Sequence, residues 1–509
     1  VFSDPKEVIV RFLLARISRF PKRFDRSAVS LAASLAVSGL VALSAFGVEP
    51  AGSDAAAPPA VQAQPSNQDL ARKVEALEME VKQLRAAQVS QPKQYDSRDI
   101  EAITAAILEN AGRHTLNFPP GGSSGHDLDK GFFIKSDDGN FSLYPDLLFQ
   151  FRGVVNYREK AKAGGDSSTE NGFEVRRAKF GFYGTAFDPD FSYRFLWQDS
   201  VGGGTPSLQY AWGQYIFAHG IGKGDLGIRA GQFKDIVFKE ETTPDRAQLF
   251  AERSLVNFLI GGGALGPEVK GVDLLYTGRG SPLHAELAVH DGNKRENTTF
   301  DNEQPVTTTN AKGVTTTKNV STNFGVAGRV DYKLFGQWGD GDDLTGVWGR
   351  NDLLIVGGGA DFTQMDHVNI VHWTADVQYQ LLHRLALLAA VYGNHDVFRN
   401  QAGAGERNDY GAQVELGYFI TRSIQPIARY SITKLSRAFK VGGADTFHEI
   451  AGGVNWFFGK DGQLGNRAKI TVDVTFLPDG TPVFAGGDFL ASPNKKQEVV
   501  FRAQLQLSL

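Results

Sequence analysis

Residues 499–509 read VVFRAQLQLSL. Val499, Phe501, Ala503, Leu505, Leu507 and Leu509 fall on one face of an extended strand, and Arg502, Gln504, Gln506 and Ser508 on the other. A strand with one apolar and one polar face separates two solvents. A transmembrane β-barrel needs that separation in every strand, because lipid wets the outside and water the inside. From Leu147 onward the same alternation returns in segment after segment. The ranges 141–158 (interrupted near Pro145), 172–186, 190–199, 208–218, 225–234, 268–278, 282–290 and 322–334 carry it. So do 351–362, 370–381, 384–394, 408–420, 423–434, 446–458, 467–477 and 496–509. About sixteen antiparallel strands, an even number, suit a bacterial barrel. The expected fold class is therefore an all-β transmembrane barrel over 131–509, its last strand pairing with the first near 147–158. A β-propeller would show a blade repeat of about forty residues, and none is found.

Composition agrees with this. The 509 residues include 58 Gly, 11% aromatic residues, 2 Met and no Cys, which suits tight turns and aromatic girdles and excludes thiol chemistry and Cys-based metal sites. A net charge of −4 gives no global basic field for nucleic acid. Beyond Val48 no apolar run approaches the roughly twenty residues of a spanning helix, so a membrane chain of this kind must close as a barrel.

The N-terminal part reads differently. Arg11, Arg16, Arg19, Lys22, Arg23 and Arg26 precede an apolar stretch from Ala28 to Val48. That order predicts a secretory signal over 1–48, cleaved near Ala45 or Ala63, with an uncleaved anchor as the alternative. A Pro/Ala/Gln linker follows over 49–66. Leu70, Val74, Leu77, Val81 and Leu84 then recur at spacings of four and three, a short coiled coil. With a second helix over 97–111 it forms a periplasmic helical segment, 67–130. Three heptads are marginal alone, so self-association is expected, the alternative being a helix lying on the barrel.

Parity assigns the inward face. Leu147, Phe149, Phe151, Phe180, Phe182, Phe195, Trp197 and Ile228 take the lipid side. Arg152, Arg158, Arg177, Lys179, Arg194 and Arg229 then line the lumen as a basic wall, whereas later strands mix signs. A basic wall concentrates anions in a narrow pore. In the other reading, lumen cations simply pair with lumen carboxylates. Gly202-Gly203-Gly204 and Gly261-Gly262-Gly263 lack the Lys-Ser/Thr of a phosphate loop and read as flexible turns. No catalytic group, metal set or cofactor is expected.

Two stretches carry a family resemblance. Residues 225–254 read DLGIRAGQFKDIVFKEETTPDRAQLFAERS, and Arg176-Arg177-Ala178-Lys179-Phe180-Gly181 lies upstream. Gly231-Gln232-Phe233-Lys234, the pair Glu240-Glu241, Phe250 with Glu252-Arg253-Ser254, and the double Arg resemble the phosphate-selective porin O/P family. The resemblance implies a sixteen-stranded trimeric barrel of the outer membrane. It further implies a loop folded into the pore and cations guiding anions through the constriction. Lys234, Lys239 and Arg253 become constriction candidates by motif. Lys234 would take the lipid parity if the strand ran on, so the chain is expected to turn near Phe233.

The sequence thus predicts an outer-membrane porin of a Gram-negative bacterium, a homotrimer in lipid, passing small anions such as phosphate or polyphosphate by diffusion. A channel for sugars or other small solutes is one alternative. Another is an envelope tether, with 67–113 touching peptidoglycan or a periplasmic partner.

Overall fold

The computed structural model describes residues 122–127, 131–158, 169–199, 206–261, 267–278, 280–292, 303–309, 315–365, 368–398, 406–436, 444–481 and 497–509. The signal region, the linker and the coiled coil over 67–113 lie outside the described residues.

Strands β1 (Gly122–Asp127) and β2 (Gly131–Ser136) form a hairpin. There follow β3 (Ser142–Arg158), β4 (Thr169–Ala186), β5 (Asp188–Asp199), β6 (Ser207–Ile221), β7 (Gly224–Lys234), β8 (Glu268–Thr277) and β9 (Leu283–His290). Strand β10 (Glu303–Thr309) pairs with the start of β11 (Thr315–Phe335). The remainder are β12 (Leu353–Met365), β13 (Val368–Leu381), β14 (Leu385–Phe398), β15 (Glu406–Tyr418), β16 (Ile424–Lys434), β17 (Thr446–Phe457), β18 (Ala468–Leu477) and β19 (Glu498–Ser508).

Sixteen of them, β3–β9 and β11–β19, close into one antiparallel barrel. Strand β9 pairs with β11, and β19 returns to β3 with Phe501 opposite Val155 and Leu507 opposite Phe149. Closure pairs the first strand with the last, so the sheet has no free end, which is how a β protein satisfies its backbone in lipid. The faces follow the alternation. Phe149, Phe151, Val155, Phe501 and Leu507 are exposed on the outer wall, while Gln150, Arg152, Asn156, Arg502, Gln504 and Gln506 are buried inside.

Two local expectations change. Pro145 does not interrupt β3, which runs unbroken with Pro145 opposite Phe182. The partner strand β19 stops opposite Leu148, and β2 covers only Ser142 and Leu143, so at Pro145 that side of β3 is an edge and no ladder donor is missed. Strand β7 also continues past Phe233 to Lys234, and the chain turns at Asp235. Alternation breaks earlier, at Gly231, whose φ is +132°. After it Gln232, Phe233 and Lys234 are all buried, so strand parity misassigns Lys234. A Cβ at Gly231 would sit 2.1 Å from the Ala211 carbonyl oxygen, so only glycine makes this bend. Gly231→Val is expected to lower stability by about 1–3 kcal/mol, read as an earlier thermal loss of β signal in detergent. An unchanged melting curve would show that the bend is dispensable.

One rim of the barrel carries mostly short turns, at Phe187, Gly222–Lys223 and Leu382–Arg384. In bacterial barrels this rim faces the periplasm. One connection there, 336–352, is much longer than these and enters the lumen.

Candidate functional site: an inward loop against a basic wall

After Lys234 the chain leaves the wall, and its segment 235–261 crosses the lumen. It contains two short helices, α1 (Lys239–Thr242) and α2 (Leu255–Leu259), the second capped by Ser254, whose Oγ accepts from the Asn257 N–H at 3.1 Å. Ile236, Val237, Phe238, Leu255, Val256, Leu259 and Ile260 are buried. They pack on Val269, Ala288, Ala327, Tyr392, Phe447 and Val500 from β8, β9, β11, β14, β17 and β19. The inward loop therefore has its own apolar core inside the barrel.

Its backbone, irregular inside the barrel, must find hydrogen bonds in the wall. Arg329 gives one to the Val237 carbonyl at 2.6 Å, and Lys469 one to Gln248 at 2.7 Å. Asn455 reaches Leu249 at 3.0 Å, Arg429 reaches Glu252 at 2.9 Å, and Gln506 reaches Arg246 at 2.9 Å. In return the Ala251 and Leu255 N–H groups donate to Asp473 at 3.1 Å and Glu449 at 2.8 Å.

The basic wall faces the carboxylates of this loop. Lys179 is paired with Asp245 and donates to Gln209 at 2.5 Å. Arg177 lies 3.4 Å from Asp245 and 3.3 Å from Glu252. Arg152 meets Glu252 at 2.7 Å and also pairs with Glu174. Arg176 pairs with Glu252 too. Strict alternation would forbid two adjacent inward arginines. A register shift between Gln150 and Phe151 sets Gln150 opposite Arg177 and Phe151 opposite Val175, leaving Arg176 as a bulge residue that can join them.

The other candidates divide as follows. Arg194 and Arg246 share Asp146 at 2.5 and 3.1 Å. Arg229 bonds Asp273 at 2.5 Å and Glu286 at 2.8 Å. Lys234 turns back on Glu241 at 3.0 Å, and Arg253 joins Asp245 at 2.6 Å and Glu241 at 3.3 Å. Arg158 sits at the long-loop end of β3, in register with Glu498. Lys239, half-buried at the start of α1, has no carboxylate partner among the described residues. Its ammonium lies near Gly341, where an added Cβ would be 3.9 Å away. Arg502 is fully buried at the closing seam and donates to Asp473 at 2.9 Å.

These pairs settle the charge of the loop. Burial works against the Asp245 carboxylate, but Lys179, Arg253 and Arg177 outweigh it and hold its carboxyl well below the usual range. Glu252, likewise opposed by burial, is held well below by Arg176, Arg177 and Arg152. Among the described residues, buried carboxylates outnumber buried lysines and arginines.

Sequence reasoning found the wall and the loop but not their pairing. Asp245 and Glu252 stand inside the quoted motif, and Asp146 has inward parity in β3. Nothing in their spacing says which cation each one meets.

A closed sixteen-stranded antiparallel barrel, apolar outside and polar inside, with a loop folded across its lumen, defines a porin-like membrane barrel. No protein-family model matches the chain, and no curated protein does. Among solved structures, the chain is similar to the anion-selective porin from Comamonas acidovorans (13% identity, 72% of this chain and 100% of that one, TM-score 0.49). It is also similar to the outer membrane channel DcaP of Acinetobacter baumannii (11%, 73% and 99%, 0.43) and to OprB of Pseudomonas putida (10%, 72% and 94%, 0.45).

Proposed function

We propose that the chain is an outer-membrane porin passing small polar solutes by passive diffusion, small anions among them, with weak charge preference. One observation carries this reading: the lumen is crossed by a loop whose carboxylates already occupy the basic wall. An anion entering beside Arg152, Arg177 or Lys179 meets a neutralised surface, so attraction by the wall is small. Lys239 is the candidate cation left to meet an anion directly. Conduction favours such weak sites, because a solute must leave as well as enter. Assembly as a homotrimer and a periplasmic contact through 67–113 belong to the same proposal, on the strength of the family resemblance and the heptad pattern.

Lys239→Glu tests the anion part. In planar bilayers with asymmetric KCl it is expected to move the reversal potential toward cation preference by a severalfold change in permeability ratio. No shift would remove Lys239 from the path and leave anion passage without a free cation among the candidate residues.

A further inference from the structure

The connection between β11 and β12, residues 336–352, lies on the short-turn rim yet is buried in the middle: Asp343, Leu344 and Thr345 are nearly inaccessible. Both shoulders rest on other turns of that rim. Trp338 donates to the Ser281 carbonyl at 3.0 Å between β8 and β9, and Trp348 packs edge-on against Phe419 beyond β15. The segment is therefore strung as a chord across the mouth.

Wall amides grasp its backbone. Gln378 and Gln380 of β13 donate to the Asp343 carbonyl at 2.9 and 2.8 Å, and Gln425 of β16 donates to that of Thr345 at 2.6 Å. Asn466 reaches the Asp343 carboxylate at 3.0 Å. At the apex the Leu344 N–H donates to Ala247 of the inward loop at 3.1 Å. Its side chain enters one apolar cluster with Leu249 and Phe250 of that loop and with Leu388, Ile427 and Ala451 of the wall.

We propose that 336–352 is a latch: it enters from the short-turn rim, holds the tip of the inward loop, and widens the passage when it lets go. Two features favour release at this point. The inward loop is tied to the wall by several charge-assisted bonds, roughly twice as strong as neutral ones, whereas the wall grips the latch backbone through neutral amides and meets one charge there, Asn466 on the Asp343 carboxylate. The shoulder at Gly349–Asn351 is exposed, so the chord can swing outward without breaking a strand. This inference rests on the channel reading above.

Single-channel recording in planar bilayers tests it on the full chain, with Leu344→Asp and, separately, Gln378→Ala/Gln380→Ala/Gln425→Ala. Both keep the inward loop's ion pairs, and heat-modifiable migration verifies that each barrel has folded. The latch predicts that both variants conduct at least about twofold more than a conducting parent, and that both open where the parent is silent. A conducting parent with two variants of equal conductance overturns the latch and leaves the channel. Silence in all three overturns the channel reading and the latch with it. The absence of cysteine allows a third arm. A Cβ at Gly346, where φ is +55°, would lie 3.0 Å from that of Ala386, so Gly346→Cys/Ala386→Cys ties the latch to β14 once the two backbones move apart by at least about 0.5 Å to disulfide distance. Oxidation is expected to suppress excursions to higher conductance and reduction to restore them; identical traces in both states count against the latch.

Discussion

Asp245→Asn combined with Glu252→Gln is expected to make the passage strongly anion-selective and wider. Asp245 is shared by Lys179, Arg177 and Arg253, and Glu252 by Arg152, Arg176 and Arg177. Removing both charges takes from Arg177 and Lys179 the carboxylates they pair with and leaves Arg152 with Glu174 and Arg253 with Glu241, without moving any of them out of the lumen. A tenfold rise in the anion-to-cation permeability ratio, about 1.4 kcal/mol, is a modest claim for two unit charges at a constriction. The same change breaks buried pairs, which costs about 3–5 kcal/mol when one partner is lost, so the loop should loosen and conductance rise with it. Both are read from reversal potential and single-channel current; no change in either would mean that the path avoids this wall.

Acid should act in the same direction, and the sign is fixed by the depressed carboxyls. A group whose folded-state pKa lies below its unfolded value stabilises above the unfolded value and loses that contribution as pH falls through the folded one. Asp245 and Glu252 are both depressed, so loop anchorage should be constant from neutral pH to about 4 and fail only below that.

Arg429→Ala should cause the largest loss of stability. Arg429 is buried in β16, bonds Glu415 at 3.0 Å and Glu449 at 2.6 Å, and covers the Phe250 ring at 4.3 Å. It also donates to the Glu252 carbonyl, while Glu449 receives the Leu255 N–H at the start of α2. Alanine leaves two buried carboxylates facing each other and unties the far side of the loop. About 3–5 kcal/mol is expected, seen as heat-modifiable migration at a lower temperature. Arg429→Lys keeps the charge but not the planar fork and should recover only part of it. Wild-type thermal behaviour of Arg429→Ala would show that the loop needs no anchor on this wall.

The alternation of apolar and polar residues carries most of the fold. Strand β19 announces its two faces residue by residue, and each of the sixteen barrel strands is visible the same way, because lipid and water impose opposite demands on neighbouring positions. What escapes the pattern is local geometry that breaks the alternation. The bulge at Arg176 and the left-handed Gly231 each change which way the next side chain points, and parity carries no record of them. The lumen is harder still. Parity turns Gln378, Gln380 and Arg429 inward, but what they grasp is set by segments returning from far along the chain, 336–352 and 235–260. The basic wall was legible as a row of cations. That its partners are Asp245 and Glu252 depends on the loop's path, which no spacing encodes.

The central claim is that the basic wall holds the inward loop and leaves little field for passing ions. The reversal potential of the unmodified protein across a planar bilayer in asymmetric KCl tests it most directly. A value near zero, small beside the equilibrium potential of either ion, is expected. A potential close to that of chloride would contradict it, because the wall would then be electrically free.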